Sequence, residues 1–271
     1  MRNNKPLLLL IPIFSLWLAT QSFAQQIVIK SDDILFDIRD MGNVGGELFI
    51  TKSDSTLLKP SNYLCMYPYE EKHVFPIEFT INNEGKPDGI IKDDKYFKTF
   101  VKNGIVYKYE KYQENHKLRE EKFMRGDTII SKYYNSHGEK RAEYWELNNK
   151  TIYDYNCSYS EETDSIVSCQ LRDKVKGIEI YSKKGIVREK TITKNLPEGV
   201  IKQTEEYDEN GKLLEKQIKY NNNKTKTIHT NGNYTIETKA KDGSGVYIEK
   251  YNKAGKLIEK EFAHYVGMGG L

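Results

Sequence analysis

The feature that most constrains the fold of this chain is a four-residue turn pattern that ends in glycine and returns at regular intervals. In its clearest copy, Asp208 to Gly211, an acidic residue stands where a type I turn takes a side-chain acceptor. Glycine stands at the fourth position, where the backbone must enter the left-handed region to rejoin the next strand. The pattern therefore predicts left-handed turn glycines at Gly85, Gly138, Gly185, Gly211, Gly232 and Gly255.

The residue before each turn is large, and it is aromatic in most copies. Weaker copies of the turn at Gln113 to His116 and Ser160 to Thr163 complete a series of eight such positions. They are Ile81, Tyr112, Tyr134, Tyr159, Tyr181, Tyr207, Ile228 and Tyr251, with spacings of 31, 22, 25, 22, 26, 21 and 23 residues. Such spacing indicates an internal repeat with small loop insertions, in which the six tyrosines are aromatic residues of a sheet.

A second set of chain breakers falls midway between these turns, for example Asn103-Gly104 and Asn148-Asn149. Two turn classes that alternate about every 11 residues are typical of a meander of short strands. Segments between the turns, such as TIISKYY, are rich in β-branched and aromatic residues, as strands prefer. We predict an all-β fold: an elongated antiparallel meander of repeated hairpins over residues 78–263, with about 16 strands and an N-terminal β cap.

The predicted strands are unusually polar, as in LLEKQIKY, and only 38% of the residues are hydrophobic. Strict alternation gives neither face of such a strand a continuous apolar surface. Tyrosine rings and the stems of Lys and Glu can instead shield one another across strands, and each cross-strand pair contributes roughly 0.2 to 1 kcal/mol. We therefore expect a thin sheet in which each hairpin is stabilised by its neighbours.

The repeated segments YDENGKL and YNKAGKL resemble bacterial MORN-variant repeats, the hairpin units of proteins often labelled YwqK-like antitoxins. The likeness covers about Phe79 to Phe262, and Gly89 after Glu84-Gly85-Lys86-Pro87 matches a fuller form of the repeat. The resemblance implies stacked hairpins in a long twisted sheet and brings no catalytic residue. Tyr-Asp repeats of the cell-surface RHS type are a second resemblance.

The first 24 residues are typical of an export signal. Arg2 and Lys5 precede the apolar run from Leu7 to Ala19, and Ser22-Phe23-Ala24 supplies small residues at the two positions that a signal peptidase reads. About 12 apolar residues interrupted by Pro12 are too few for a membrane anchor, which needs roughly 20. We predict a Sec-type signal peptide at residues 1–24, cleavage near Ala24, a periplasmic or secreted product, and no transmembrane segment after cleavage.

The ends of the chain do not follow the repeat. Residues 25–77 contain strand-like runs around the glycines of Gly42 to Gly46, which lack the spacing of a phosphate-binding loop. We interpret residues 25–77 as a β capping segment that protects the first strand of an open sheet. Residues 264–271, which end in MGGL, carry no strand pattern and are predicted to be a loose tail.

An exported protein can keep disulfides, and Cys157 and Cys169 flank one hairpin. If that hairpin used the repeat's own turn, the two residues would be diagonal neighbours about 7 to 8 Å apart, beyond disulfide reach. A longer loop would bring them face to face, so we name this pair as the disulfide candidate. Cys65 is then unpaired, and we interpret it as a buried small hydrophobic residue.

The residue pattern favours binding over catalysis. Removal of Arg2 and Lys5 with the signal lowers the formal charge from +3 to +1, and the charges are mixed in sign, so a nucleic-acid partner is not expected. The five histidines are scattered, and no metal or cofactor site is indicated. A Cys65 and His73 pair is the main enzymatic alternative. We predict a non-catalytic protein that binds a protein partner at the cell envelope, as an antitoxin or immunity protein would, with a glycan-binding module as the alternative.

Overall fold

The computed structural model describes residues 26–69, 73–93, 95–160, 162–163 and 165–265. These residues form 21 β-strands and two short 3-10 helices, Ser31–Asp33 and Ile38–Gly42. The strands are β1 (Ile27–Lys30), β2 (Ile34–Leu35), β3 (Thr51–Lys52), β4 (Ser61–Tyr69), β5 (His73–Ile81), β6 (Gly89–Asp93), β7 (Phe97–Lys102), β8 (Ile105–Tyr112), β9 (Leu118–Arg125), β10 (Thr128–Tyr134), β11 (Lys140–Leu147), β12 (Lys150–Tyr159), β13 (Ile166–Asp173), β14 (Ile178–Lys183), β15 (Ile186–Ile192), β16 (Val200–Tyr207), β17 (Leu213–Tyr220), β18 (Lys224–His229), β19 (Tyr234–Lys239), β20 (Gly245–Tyr251) and β21 (Leu257–His264).

Nineteen of these strands form one open sheet, and β2 and β3 form a separate two-stranded sheet. From β4 to β21 each strand pairs antiparallel with the next one along the chain. β1 lies parallel to β4 and forms the edge beyond it. The prediction of an all-β antiparallel hairpin meander is therefore confirmed. The 16 strands from β6 to β21 match the predicted number for the repeat, and β1, β4 and β5 bring the main sheet to 19 strands.

The turns explain why the chain reverses where it does. At Asp208 the backbone N–H donates to the Lys212 carbonyl (2.9 Å), and the carboxylate accepts the N–H groups of Asn210 and Lys212 at 2.8 and 2.9 Å. The pattern's six glycines all have φ between +76° and +87°. Asp208 and Gly211 thus close a type I turn, and the extra residue is absorbed by a bulge between Glu206 and Tyr207.

The turn at Gly185 differs from the predicted one. Lys183 pairs directly with Ile186, so the loop holds only Lys184 and Gly185, with φ of 51° and 76°. These angles identify a two-residue primed turn. Tyr181 consequently lies inside β14, opposite Glu189. A glycine that ends a four-residue turn also suits the second position of a two-residue turn, so the sequence pattern does not separate the two.

The main cluster of buried hydrophobic residues in the described structure lies at the N-terminal end of the molecule. Residues 31–58 form a layer, which we call the N-terminal layer, on one face of β4 to β8. Its buried side chains are Ile34, Met41, Val44, Leu48, Ile50 and Leu58, and they pack against Tyr63, Cys65, Ile77, Phe79, Ile81, Ile91, Phe97, Val101 and Val106. Backbone hydrogen bonds fix the layer at β8: the Leu48 N–H donates to the Gly104 carbonyl (2.7 Å) and the Val106 N–H to that of Gly46 (3.1 Å).

This arrangement changes the predicted division of the chain. The boundary at residues 77 and 78 falls inside β5, and β4 and β5 belong to the main sheet. The N-terminal layer covers a face of the sheet, whereas the edge beyond β4 is formed by β1. β21 extends through His264, one residue into the predicted tail. The predicted signal peptide, residues 1–24, and residues 266–271 lie outside the described residues.

Beyond the N-terminal layer the sheet is a single layer stabilised by polar pairs. Lys176 lies 3.4 Å from Asp173, and Lys216 lies 3.3 Å from Glu205 on the neighbouring strand. Each of these contacts is exposed enough to contribute only a few tenths of a kcal/mol. Stability in this part of the chain therefore accumulates from many small pairs along the sheet.

Candidate binding groove

Three adjoining depressions form one elongated groove, which we call the β5–β11 groove. The largest has a volume of about 840 Å³ and lies between the N-terminal layer and β5 to β9. It shares Gly42, Asn43 and Lys122 with a depression of about 300 Å³ that continues onto β10 and β11. The largest depression also shares Glu114 and Arg119 with a third depression, of about 580 Å³, which lies beside the turns that follow β8 and β10.

A buried carboxylate and the N-terminal layer hold the largest depression open. The Asp93 carboxylate accepts the backbone N–H groups of Lys95, Tyr96 and Phe97 at 3.0, 2.5 and 2.9 Å. These bonds fix the connection between β6 and β7 and so position the Tyr96 and Phe97 rings at the groove. On the opposite wall, the Thr99 hydroxyl donates to the Met41 carbonyl (3.2 Å) and attaches the N-terminal layer to the sheet.

Aromatic side chains line the groove, and their rings are already in contact with protein groups. Phe75 and Tyr96 meet edge to face, with centroids 5.5 Å apart, and the Lys95 Nζ lies 5.0 Å from the Tyr96 ring. Burial, together with the charges of Glu120 and Asp93, raises the pKa of Tyr109 to about 12. The Tyr109 hydroxyl therefore keeps its proton near neutral pH and can donate a hydrogen bond to a ligand.

The groove contains cations that are not neutralised within the described part of the chain. Lys122 pairs with Glu120 at 2.9 Å. Burial opposes the charged form of Lys122, but the bond to Glu120 prevails and its pKa is raised. Lys111 and Arg119 also line the groove, and no carboxylate of the described residues lies within 4 Å of either. These two cations are available to carboxylates of a binding partner.

The disulfide candidate lies outside the groove. Cys157 and Cys169 are directly opposite each other on β12 and β13 and are joined by a disulfide, with Cα atoms 4.0 Å apart. The longer of the two loops considered above is present, because the Ser160 N–H donates to the Ser165 carbonyl at 3.0 Å. The disulfide joins two neighbouring strands of the single-layered region and takes no part in the groove.

Most of the sheet tyrosines make contacts within the sheet. The hydroxyls of Tyr112, Tyr207 and Tyr251 donate to the Glu residue two positions earlier, Glu110, Glu205 and Glu249, at 2.5, 2.9 and 3.0 Å. Tyr159 donates to the Lys140 carbonyl at 3.3 Å. Tyr181 is exposed, and Tyr134 alone of the six lines the groove. The three Glu-x-Tyr pairs and the Tyr159 bond indicate that four of the six tyrosines stabilise the sheet.

Cys65, the thiol of the enzymatic alternative, lies in the core and not in the groove. Cys65 is completely buried in the core, and burial raises its pKa to about 11, which disfavours the reactive thiolate. His73 stands in β5 opposite Tyr69, four residues along the strand from Ile77, the cross-strand partner of Cys65. Within the described ranges there is no group of three or more His, Cys, Asp or Glu side chains that could hold a metal ion.

Sequence reasoning missed the residues that form the groove, notably Tyr96, Tyr109, Lys111 and Arg119. None of them occupies a fixed position of the repeat. Tyr109 and Lys111 lie in the segment FKTFVKNGIVYKYEKY, which is the stretch of the chain richest in aromatic and basic residues. That density was the one available signal, but it does not show that the N-terminal layer provides the opposite wall.

No family model matches the chain, and no curated protein resembles it significantly in sequence. The resemblance to MORN-variant repeats therefore remains a prediction. In the part of the chain that the structure describes, no helix has the length and apolar character needed to span a membrane.

Proposed function

We propose that this is an exported, non-catalytic protein that binds a partner protein at the cell envelope through the β5–β11 groove. The observation that carries the proposal is the length of the groove. Its lining residues run from Phe75 on β5 to Glu146 on β11. Six strand spacings of about 4.8 Å give roughly 29 Å, which suits a segment of a polymer better than a small metabolite.

The lining supports a protein partner over a polysaccharide. Lys111 and Arg119 offer charge-assisted hydrogen bonds, and Glu114 offers an acceptor at the same place. A neutral sugar would use exposed ring faces, but Phe97 is buried and Tyr96 is in contact with Lys95 and Phe75. Mixed charges beside partly buried rings are typical of protein interfaces.

Two features of the sequence bear on where the protein acts and on what kind of partner it binds. The signal-like residues 1–24 would place the groove outside the cytoplasm, in the periplasm or beyond. The resemblance to repeat proteins labelled as antitoxins supports a toxin that acts outside the cytoplasm as one class of partner. No step of the proposed function needs a cofactor.

Site-specific photocrosslinking in the producing cells tests the proposal. A photoreactive phenylalanine analogue replaces Tyr96 in the groove, and the matched control carries it at Tyr247, an exposed tyrosine of β20 outside the groove. We expect one discrete protein adduct from the Tyr96 position and none from the Tyr247 position. Arg119→Glu should lower the yield at least tenfold, since a reversed charge loses more than about 1.4 kcal/mol of binding.

Arg172→Glu is the control for the charge reversal, because Arg172 is exposed on β13 outside the groove. It should leave the adduct unchanged. An adduct whose added mass is removed by glycosidases would replace the protein partner with a polysaccharide. Equal adducts from Tyr96 and Tyr247, or equal losses with both arginine variants, would refute binding in the groove.

A further inference from the structure

Two arginines, Arg119 and Arg141, line the third depression of the β5–β11 groove. Both side chains are exposed. No carboxylate of the described residues lies within 4 Å of the guanidinium group of either arginine, although Glu114 lines the same depression. A guanidinium group presents a planar fork of N–H donors that fits the two oxygens of a carboxylate. The depression therefore offers two such forks to acidic groups of a bound molecule.

The two arginines occupy the same place in successive hairpins. Arg119 stands seven residues after Tyr112, which ends β8. Arg141 stands seven residues after Tyr134, which ends β10. Each arginine is the extra residue of a β-bulge, because the register shifts where that tyrosine pairs with the next strand. One strand, β10, lies between β9 and β11, so the backbones of the two arginines are two strand spacings, roughly 10 Å, apart.

The bulge itself does not require arginine. In two later hairpins the extra residue of the equivalent bulge is Leu214 or Ile258. Neither of these residues lines the groove. Arginine is thus present at this position in the two hairpins whose turns border the groove, and the backbone geometry alone does not account for it. A role in binding does account for it, since a bulge can aim the side chain of its extra residue.

Contacts around the third depression hold the two arginines in fixed relative positions. The Gln113 side-chain amide donates to the Asn135 carbonyl (2.8 Å), which joins the turn after β8 to the turn after β10. The Arg141 guanidinium lies over the Tyr159 ring, with 5.4 Å between Cζ and the ring centroid. A guanidinium group over a ring still presents N–H donors at its edge. Little rearrangement is therefore needed before an acidic ligand binds.

We propose that the partner protein places an acidic segment in the third depression, with two carboxylates about 10 Å apart that bind Arg119 and Arg141. This inference rests on the proposed function, because it specifies which part of the partner enters the groove. In an extended segment of the polyproline II type, side chains three positions apart lie on the same side and about 9 Å apart. Acidic residues separated by two others therefore fit the two arginines.

The charges of the groove favour a peptide segment over an acidic polysaccharide. Glu114 lies beside the arginines, and Glu146 lines the second depression. A polysaccharide that carries a carboxylate in every repeat would bring negative charge against both glutamates. A peptide can instead present acidic residues to the arginines and neutral or basic residues to the glutamates.

Crosslinking from the third depression tests this inference. A photoreactive phenylalanine analogue replaces Tyr134, which lines that depression, and the purified full chain is crosslinked in envelope extract. Mass spectrometry of the linked partner peptide should show two Asp or Glu residues three positions apart. Raising the salt concentration from about 0.05 to about 0.5 M should lower the yield, since salt screens exposed charges.

Substitutions of the arginines give the second measurement. The double variant Arg119→Gln and Arg141→Gln should lower the yield at least tenfold and remove most of its salt dependence. Arg172→Gln is the matched control, because Arg172 is exposed on β13 outside the groove, and it should leave the yield unchanged. Arg119→Lys with Arg141→Lys should recover only part of the yield, since lysine keeps the charge but lacks the fork. Thermal unfolding of each variant verifies the fold.

The outcomes separate this inference from the proposed function. A protein adduct that forms at Tyr96 and at Tyr134 but survives the double glutamine variant would overturn the acidic segment and leave the groove as the binding site. A linked peptide without acidic residues, or a linked acidic polysaccharide, would also overturn it. Absence of any adduct from both positions in the otherwise unchanged chain would refute the proposed function, and this inference with it.

Discussion

Truncation of Leu48 to alanine should destabilise the protein far more than the same change at Leu214. Leu48 is 1% exposed and lies in the N-terminal layer against β7 and β8. Leu214 is 47% exposed on β17, in the single-layered part of the sheet. The two variants remove the same atoms, so their difference measures how much of the stability depends on the core.

The expected size follows from burial. Truncation of a fully buried leucine loses the transfer free energy of the removed atoms and leaves a cavity, and together these effects lower the free energy of unfolding by about 3 kcal/mol. For Leu214 roughly half of the side chain already faces water, so the loss should be about 1 kcal/mol or less. In a protein of this size, about 3 kcal/mol corresponds to a fall in Tm of roughly 6 to 12 °C.

Thermal unfolding and hydrogen exchange measure the two effects. The Leu48 and Val106 amides, which bond to the carbonyls of Gly104 and Gly46, should exchange about 100-fold faster in Leu48→Ala. Amides of β17 should keep their protection in that variant. Equal falls in Tm for the two variants, or unchanged exchange at Leu48 and Val106, would refute the division into a two-layered and a single-layered region.

Three further outcomes follow from the structure. Cys157→Ser removes the disulfide to Cys169. The sequence separation of 12 residues between the two cysteines predicts that the free energy of unfolding, measured with denaturant, falls by about 3 kcal/mol. Reduction of the wild type should lower the free energy of unfolding by the same amount. Gly85→Ala should lower Tm more than Gly138→Ala. Both glycines have a left-handed φ, but only at Gly85 would the new Cβ lie 2.9 Å from a leucine side chain. Equal falls in Tm would show that backbone strain alone sets the destabilisation. Burial alone would raise the pKa of Glu143, but hydrogen bonds from a lysine and a tryptophan hold it below its ordinary value of 4.5. The stability that Glu143 contributes is therefore present above pH 4.5 and lost as the pH falls through the lowered value, and Tm should decline less below pH 4.5 in Glu143→Gln than in the wild type.

The repeat architecture could be read from the sequence because its signals are local. Asp208 and Gly211 specify their turn through contacts within five residues, and the same contacts recur in the turns that begin at Asn82, Asn135 and Asn252. The turn at Lys184 and Gly185 shows the limit of this reasoning, since a glycine in the same place serves a shorter turn. Local chemistry thus fixed the number and direction of reversals better than it fixed the type of each one.

The N-terminal layer and the groove could not be read in the same way. The layer packs through contacts that are distant in sequence, such as the bond between Thr99 and Met41. Its apolar residues, including Leu48 and Ile50, have no helix or strand period that identifies the face they cover. The groove depends on the position of this layer, so Tyr96 and Arg119 acquire their role only from the tertiary fold.

The open, linear order of the strands has a mechanical consequence. Nineteen strands at about 4.8 Å span roughly 86 Å before twist is considered, and β1 and β21 stand at opposite ends. A force applied between these ends acts across the strands, so it would separate one hairpin at a time rather than shear a whole ladder at once. Such a molecule would lengthen in small steps under low tension and recover hairpin by hairpin, which suits a tether between components that move relative to each other.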